Sequence, residues 1–148
     1  VPVNEVGMTL VGNVVSDVRT KTTMAGDEVV SFRAASTERR YDKETGQWVD
    51  GNKVYVNVSC WRKLGSGVYA SLRKGDPIVA TGRFYIREYE TEGERRSSAE
   101  LEARAVGPDL SRSTAQVVRN SAVHERAVPE RGVTERVAPE RAALAEAA

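Results

Sequence analysis

Apolar and polar residues alternate with a period of two over most of residues 8–106, the pattern of half-buried β-strands. It opens in "MTLVGNVVSDVR", Met8 to Arg19, where Gly12 signals a bulge or a close backbone approach. A turn at Gly26 leads into "EVVSFRAASTE", with Val30, Phe32 and Ala34 on one side and Ser31, Arg33 and Ala35 on the other. Asp42, Gly46 and Gly51 are turn residues, so "YDKETGQWVDGN" reads as a loop. The third strand is "KVYVNVSCW", Lys53 to Trp61. Val54, Val56, Val58 and Cys60 share its inward parity, while Tyr55, Asn57, Ser59 and Trp61 share the outward one.

The period then changes. Leu64, Val68, Tyr69 and Leu72 form one helical stripe, with "GSG" at 65–67 as the helix start. Arg73 and Lys74 suit the negative end of that helix, and Gly75 suits the left-handed residue that stops it. The fourth strand, "PIVATGRFYIREY", turns Ile78, Ala80, Gly82, Phe84 and Ile86 inward. Thr81, Arg83, Tyr85, Arg87 and Tyr89 face outward. "TEGE" reverses the chain into "SSAELEARAV", with Ala99, Leu101 and Ala103 inward. Five strands with one short helix between the third and fourth predict an all-β chain with the order of an OB-fold, a small barrel that presents strands and loops to nucleic acid or sugar.

The pattern stops near Pro108. Residues 111–148 hold no aromatic, repeat "ERAVPERGVT" as "ERVAPERAAL", and are interrupted by Pro129 and Pro139. The expected organisation is a barrel domain over 1–110 and a flexible Ala/Arg/Glu-rich tail over 111–148.

Composition narrows the chemistry. Residues 1–110 carry sixteen Lys+Arg and sixteen Asp+Glu, so a site for a polyanion needs charge segregated by face. The single cysteine, Cys60, excludes an internal disulfide and lies on the valine face of its strand, as a reduced, packed thiol would. The lone cysteine makes a reducing cytoplasm the plain expectation, and with no apolar run approaching the ~18 residues of a membrane span, no membrane partner is expected. His124 is the only histidine and has no Cys/His cluster around it, so no metal site is expected. Glu88, Glu90, Glu92 and Glu94 read as a solvated hairpin rather than a catalytic pair, and no phosphate-binding or dinucleotide motif occurs. Neither an enzyme nor a cofactor is expected.

Aromatics are only 6% of the chain, so their placement carries information. Arg83, Tyr85, Arg87 and Tyr89 alternate on one outward parity. Tyr55 and Trp61 share another, roughly 20 Å apart at ~3.3 Å per residue, and Arg62 and Lys63 follow. That spacing suits an extended chain of flat groups with charges between them. Single-stranded nucleic acid is such a chain, and each base stacked on an aromatic is worth about 1–3 kcal/mol. Tyr55, Trp61, Tyr85 and Tyr89 are the candidate stacking platforms; Arg33, Arg62, Lys63, Arg83 and Arg87 are the candidate phosphate ligands. Two other uses fit the same surface: an RNA-binding OB-fold chaperone, and an adaptor that docks proteins on its exposed aromatics.

Five segments, "TLVGNVVSDVR", "VVSFRAAST", "YDKETGQW", "SCWRKLGSGVYASLRKGDPIVATGR" and "VGPDL", resemble the bacterial single-stranded-DNA-binding proteins, most closely the actinobacterial, short-tailed type. The resemblance implies an OB-fold assembled as a homotetramer on single-stranded DNA in the nucleoid, without a cofactor. It carries stacking roles onto Tyr55, Trp61 and Tyr89. A further stacking position falls on Arg40, with Tyr41 beside it and Trp48 in the same loop, which adds these three to the candidates. It does not extend to recruitment of repair and replication enzymes, because "ERAALAEAA" differs from the acidic, Pro-Phe-ending tip of the replication-type members.

Overall fold

A computed structural model describes residues 3–120 of the chain. In chain order its elements are β1 (Val6–Val14), β2 (Arg19–Thr22), β3 (Glu28–Asp42), β4 (Gln47–Trp61), α1 (Arg62–Ser71), β5 (Pro77–Thr91) and β6 (Glu94–Pro108). The strands form one sheet in the order β1-β5-β6-β4-β3-β2, and a further β1–β3 pairing closes it into a ring of five. The β1–β3, β1–β5, β3–β4 and β5–β6 pairs are antiparallel, and β4–β6 is parallel over Asn57–Ser59 and Glu100–Glu102. This is the expected OB-fold, with its helix between the third and fourth barrel strands.

The inward parity fills the barrel. Leu10, Val14, Val30, Phe32, Val56, Val58, Cys60, Ile78 and Leu101 are buried, and Val68 and Leu72 bring α1 onto the same cluster. Burying each large aliphatic side chain stabilises the fold by about 1.5–3 kcal/mol. Val54 and Ile86 share the inward parity but are exposed, because they lie on hairpin arms that no second layer covers.

The ring closes at two glycines. A Cβ on Gly12 would sit 2.0 Å from the carbonyl oxygen of Ala35, and one on Gly82 would sit 2.1 Å from that of Glu102. The close approach expected at Gly12 is therefore the β1–β3 seam. At Gly82 the β5–β6 register slips: Thr81 pairs with Ala105 and Gly82 with Ala103, leaving Arg104 as the extra residue. That bulge reverses the parity of β6, so Ala103 and Val106 both serve the core.

Three expectations need correction. The first strand is two: β1 ends at Val14 and β2 starts at Arg19, where it pairs with β3 alone. Between them Val15 N donates to Arg33 O at 2.8 Å and Arg33 N donates to Ser16 Oγ at 2.7 Å, which turns the chain around β3. The supposed loop over 41–52 is mostly paired strand, with Tyr41 opposite Trp48 and Asp42 opposite Gln47. A compact turn suffices there: Gly46 N donates to Asp42 O at 2.8 Å, Glu44 N donates to Asp42 Oδ1 at 2.9 Å, and Gly46 takes φ 71°. Gly51 is absorbed in a bulge rather than a turn. Finally, α1 begins at Arg62, so the "GSG" lies inside it, and Tyr69 is exposed instead of joining the apolar stripe. Its end is as expected only in part: Arg73 donates to the carbonyls of Tyr69 and Leu72 at 3.0 and 2.9 Å, but the C-cap Leu72 is extended at φ −108°, and Gly75, φ 98°, turns the chain before β5 instead of stopping the helix.

After β6 the chain is stapled back to β1. Arg112 donates to Asn13 Oδ1 at 2.8 Å and to Gly12 O at 2.7 Å, and the compact unit extends to Ser113. The tail expected over 111–148 therefore begins with packed residues, and its part from 121 onward lies outside the described residues. The Arg112 side chain, with the Ser111 hydroxyl and amide, holds the Asp109 carboxyl down at about 2. A carboxyl with a depressed folded pKa supports stability above its ordinary value of 3.8 and loses that support as pH falls towards 2. Asp109→Asn should therefore flatten the acid limb of stability measured by urea unfolding between pH 4 and 2.

Cys60 is wholly buried, and burial pushes its thiol up to about 12. The raised value means stability present below the ordinary 9.0 is lost as pH climbs from 9 towards 12. At neutral pH the thiolate, the reacting species, is negligible. Iodoacetamide is expected to label the native chain at the rate of unfolding, and the unfolded chain at the rate of a free thiol; mass spectrometry of timed samples checks this.

Candidate nucleic-acid interface

The outer faces of β3, β4, β6 and β5 join into one surface. Across it, Arg33 lies opposite Asn57, Asn57 beside Glu100, and Glu100 opposite Tyr85. The row behind runs Ser31, Ser59, Glu102, Arg83. Between these rows Phe32, Val58, Leu101 and Phe84 turn inward, so the core pins the surface from beneath. Tyr55, opposite Ala35, and Arg87, opposite Ser98, continue it towards the hairpin arms.

Rings and cations are paired on this surface. The guanidinium of Arg33 lies 5.1 Å from the Tyr55 ring centroid, that of Arg83 lies 4.4 Å from Tyr85, and that of Arg87 lies 4.9 Å from Tyr89. The latter two are i, i+2 neighbours on β5; the first is a diagonal across β3–β4. Such pairs contribute about 0.5–1 kcal/mol each when exposed. They also fix the direction of both groups while the guanidinium N–H edge stays available. Among the described residues no ion pair or side-chain hydrogen bond engages the guanidiniums of Arg33 or Arg87, whereas Arg83 Nε lies 3.6 Å from Glu102 Oε1. Strand parity revealed the alternation, but that the arginines lie over the rings was not visible in the sequence.

Trp61 ends β4 on the same parity as Tyr55 and is half-buried. The next residue, Arg62, takes φ 56°, a left-handed conformation costing a non-glycine residue about 1 kcal/mol or more. Its guanidinium is 3.3 Å from Asp27 Oδ2. Lys63 is exposed on the first turn of α1. Both cations thus follow Trp61 directly in the chain, at the end of β4.

The bulge between Thr37 and Arg39 sets the far end. It shifts β4 by one parity, so Trp48 comes opposite Tyr41 on the side of β3 that carries Arg33, with ring centroids 5.6 Å apart at 52°. Arg39 and Asp50 form an ion pair next to them. Arg40 faces Val49, on the opposite parity from Tyr41, and is not brought to the surface with the other candidates.

Sequence reasoning did not single out the centre of the surface. Asn57 Nδ2 and Ser98 Oγ donate to the same carboxylate oxygen, Glu100 Oε2, at 2.9 and 2.8 Å. Beside them opens a groove of about 380 Å³, lined among others by Asp17, Arg19, Arg33, Asn57, Arg87 and Glu100. Parity does place Glu100 outward, but its neighbours come from β4 in a parallel pairing separated by 43 residues.

A family model described as "Single-strand binding protein family" matches residues 4–109, the whole of the barrel and its surface. The chain belongs to this family. Among curated family members, the single-stranded DNA-binding protein of Corynebacterium glutamicum is 42% identical over 118 residues, 79% of this chain and 52% of that protein. The one from Mycobacterium leprae is 39% identical over 115 residues, 77% of this chain and 68% of the relative. The chain thus spans about half to two-thirds of those relatives. Solved family structures cover it similarly. The small single-stranded DNA-binding protein of Streptomyces coelicolor has a TM-score of 0.68 at 37% identity, over 74% of this chain and 99% of that one. The second such protein of Mycobacterium smegmatis has a TM-score of 0.63 at 40% identity, over 78% and 99%.

Proposed function

We propose that this chain binds single-stranded DNA, stacking bases on Tyr55, Trp61, Tyr85 and Tyr89 and holding phosphates with Arg33, Arg62, Lys63, Arg83 and Arg87. Tyr41 and Trp48 extend the track along the β3–β4 arm. The observation that carries this reading is the set of three arginine–tyrosine stacks on one face of the barrel. Flat rings match unpaired bases, which duplex DNA hides, and cations between the rings match one phosphate per nucleotide. Membership of the family supports the reading, as do the names of the relatives.

The proposal includes a homotetramer, the assembly implied by the resemblance, that shields single strands during replication, recombination or repair. Val11 on the outer side of β1 and Val6 at its start are exposed, apolar surface that an assembling chain would cover. Light scattering checks the mass. Titration of tryptophan fluorescence with oligo(dT) and with duplex, at two salt concentrations, tests the binding. Quenching by oligo(dT) alone, weakening with salt, is expected; equal quenching by duplex would remove the proposal.

A further inference from the structure

Stacking alone treats all bases alike, yet the groove at the centre of the surface has an ordered pattern of hydrogen-bonding groups. Its middle is an acceptor. Glu100 Oε2 takes both the Asn57 amide and the Ser98 hydroxyl, and no described residue donates to Glu100 Oε1. Asn57 uses one N–H of its amide on that carboxylate, and its Oδ1 adds a second acceptor beside the remaining N–H. The flanks are donors. Arg33 lies across Asn57 from Glu100, and Arg87 lies opposite Ser98, two residues along β6 from Glu100. Both guanidiniums are held over tyrosine rings with their N–H edges uncommitted. Arg19 and Asp17 close the groove on the β2 side. Its volume, about 380 Å³, falls within the ~300–1,000 Å³ of small-molecule sites.

Donor, acceptor, donor is the complement of one pyrimidine edge. Thymine presents O2, N3–H and O4: acceptor, donor, acceptor. Cytosine presents O2, unprotonated N3 and the N4 amino group, which sets an acceptor against the carboxylate and a donor against a cation. A negative charge at the centre also repels phosphate, so each flanking guanidinium, with five N–H donors, meets phosphate outside the groove and turns a remaining N–H into it. We propose that this groove is an imide-reading subsite, in which Glu100 accepts the N3–H of one thymine while Arg33 and Arg87 donate to its carbonyls. Glu100 is then a specificity-determining residue that superimposes a base preference on generic stacking. This rests on the single-stranded-DNA reading above.

The test compares oligonucleotides of one length, all-dT, all-dU, all-dC and 3-methyl-dT, by tryptophan fluorescence at pH 8. For the native chain, dT and dU are expected to bind alike and roughly tenfold tighter than dC or 3-methyl-dT, the discrimination of one good base-edge contact. Glu100→Gln, whose amide can donate as well as accept, should bring the dT:dC ratio close to one. Glu102→Gln removes the same charge one row away and should tighten both oligomers equally with the ratio unchanged. Equal affinity of the native chain for dT, dC and 3-methyl-dT overturns the subsite while single-strand binding stands. A ratio unmoved by Glu100→Gln, or moved as far by Glu102→Gln, overturns it as well. Failure to bind any of the four would instead sink the parent reading. If Glu100→Gln does not fold, the 3-methyl-dT comparison on the native chain decides.

Discussion

Gly82→Ala is expected to cost about 3–5 kcal/mol of unfolding free energy, at the upper end of what a single substitution does. The added methyl group would stand 2.1 Å from the Glu102 carbonyl oxygen and 2.8 Å from the Ala103 Cα, both backbone atoms. No rotamer change relieves that. The β5–β6 ladder would have to part where the bulge at Arg104 redirects β6, and Leu101 and Ala103 would lose their place in the core. Gly12→Ala meets the Ala35 carbonyl at 2.0 Å and should cost a similar amount at the other seam. Gly107→Ala is the control: nothing lies within 4 Å of its added methyl, and stability should stay within about 0.5 kcal/mol. Urea unfolding at one fixed chain concentration compares the three, since assembly would shift the midpoint by mass action. A Gly82→Ala midpoint equal to that of Gly107→Ala would show that the seam yields freely.

Replacing both Tyr55 and Trp61 by Ala should weaken oligo(dT) binding by about 2–6 kcal/mol, the sum of two stacking platforms. The two sit six residues apart on β4, far enough for their effects to add. Trp61→Ala alone should lose about 1–3 kcal/mol and Tyr55→Phe almost nothing, because a ring without its hydroxyl still stacks. Fluorescence is read from Trp48 in the double variant, or binding is followed with a labelled oligonucleotide. Tyr55 is 46% exposed, so its loss should barely move thermal unfolding. Unchanged affinity in a folded double variant would take both residues out of the site. Arg33→Ala complements this. It removes one cation and should lower the slope of log affinity against log salt by about 0.7, one phosphate on a single strand.

Much of this architecture was legible because strand parity is local. Val56, Val58 and Cys60 on one side, and Tyr55 and Trp61 on the other, follow from the pleat alone. The helix between the third and fourth barrel strands was legible from a change of period. Bulges were not, since a bulge is a property of two strands. The shift at Thr37/Arg39 carries Trp48 to the side of Tyr41, and no count along β4 predicts it. Reading 41–52 as a loop failed for a related reason: glycine and aspartate mark a reversal without saying how few residues it uses. Glu100 was passed over because its meaning depends on Asn57, a partner reached only after the ring closes. Arg40 shows the converse. Position in a family pattern named it, and pairing opposite Val49 turned it the other way.

The buried sulfur of Cys60 has a practical corollary. The sequence contains one cysteine, and the fold hides it completely. A second cysteine placed at Lys43 or Glu94, both exposed near hairpin tips, would take a maleimide dye alone. This chain is therefore already a quiet background for optical probes, and a dye could be placed on either arm without first engineering a sulfur-free version.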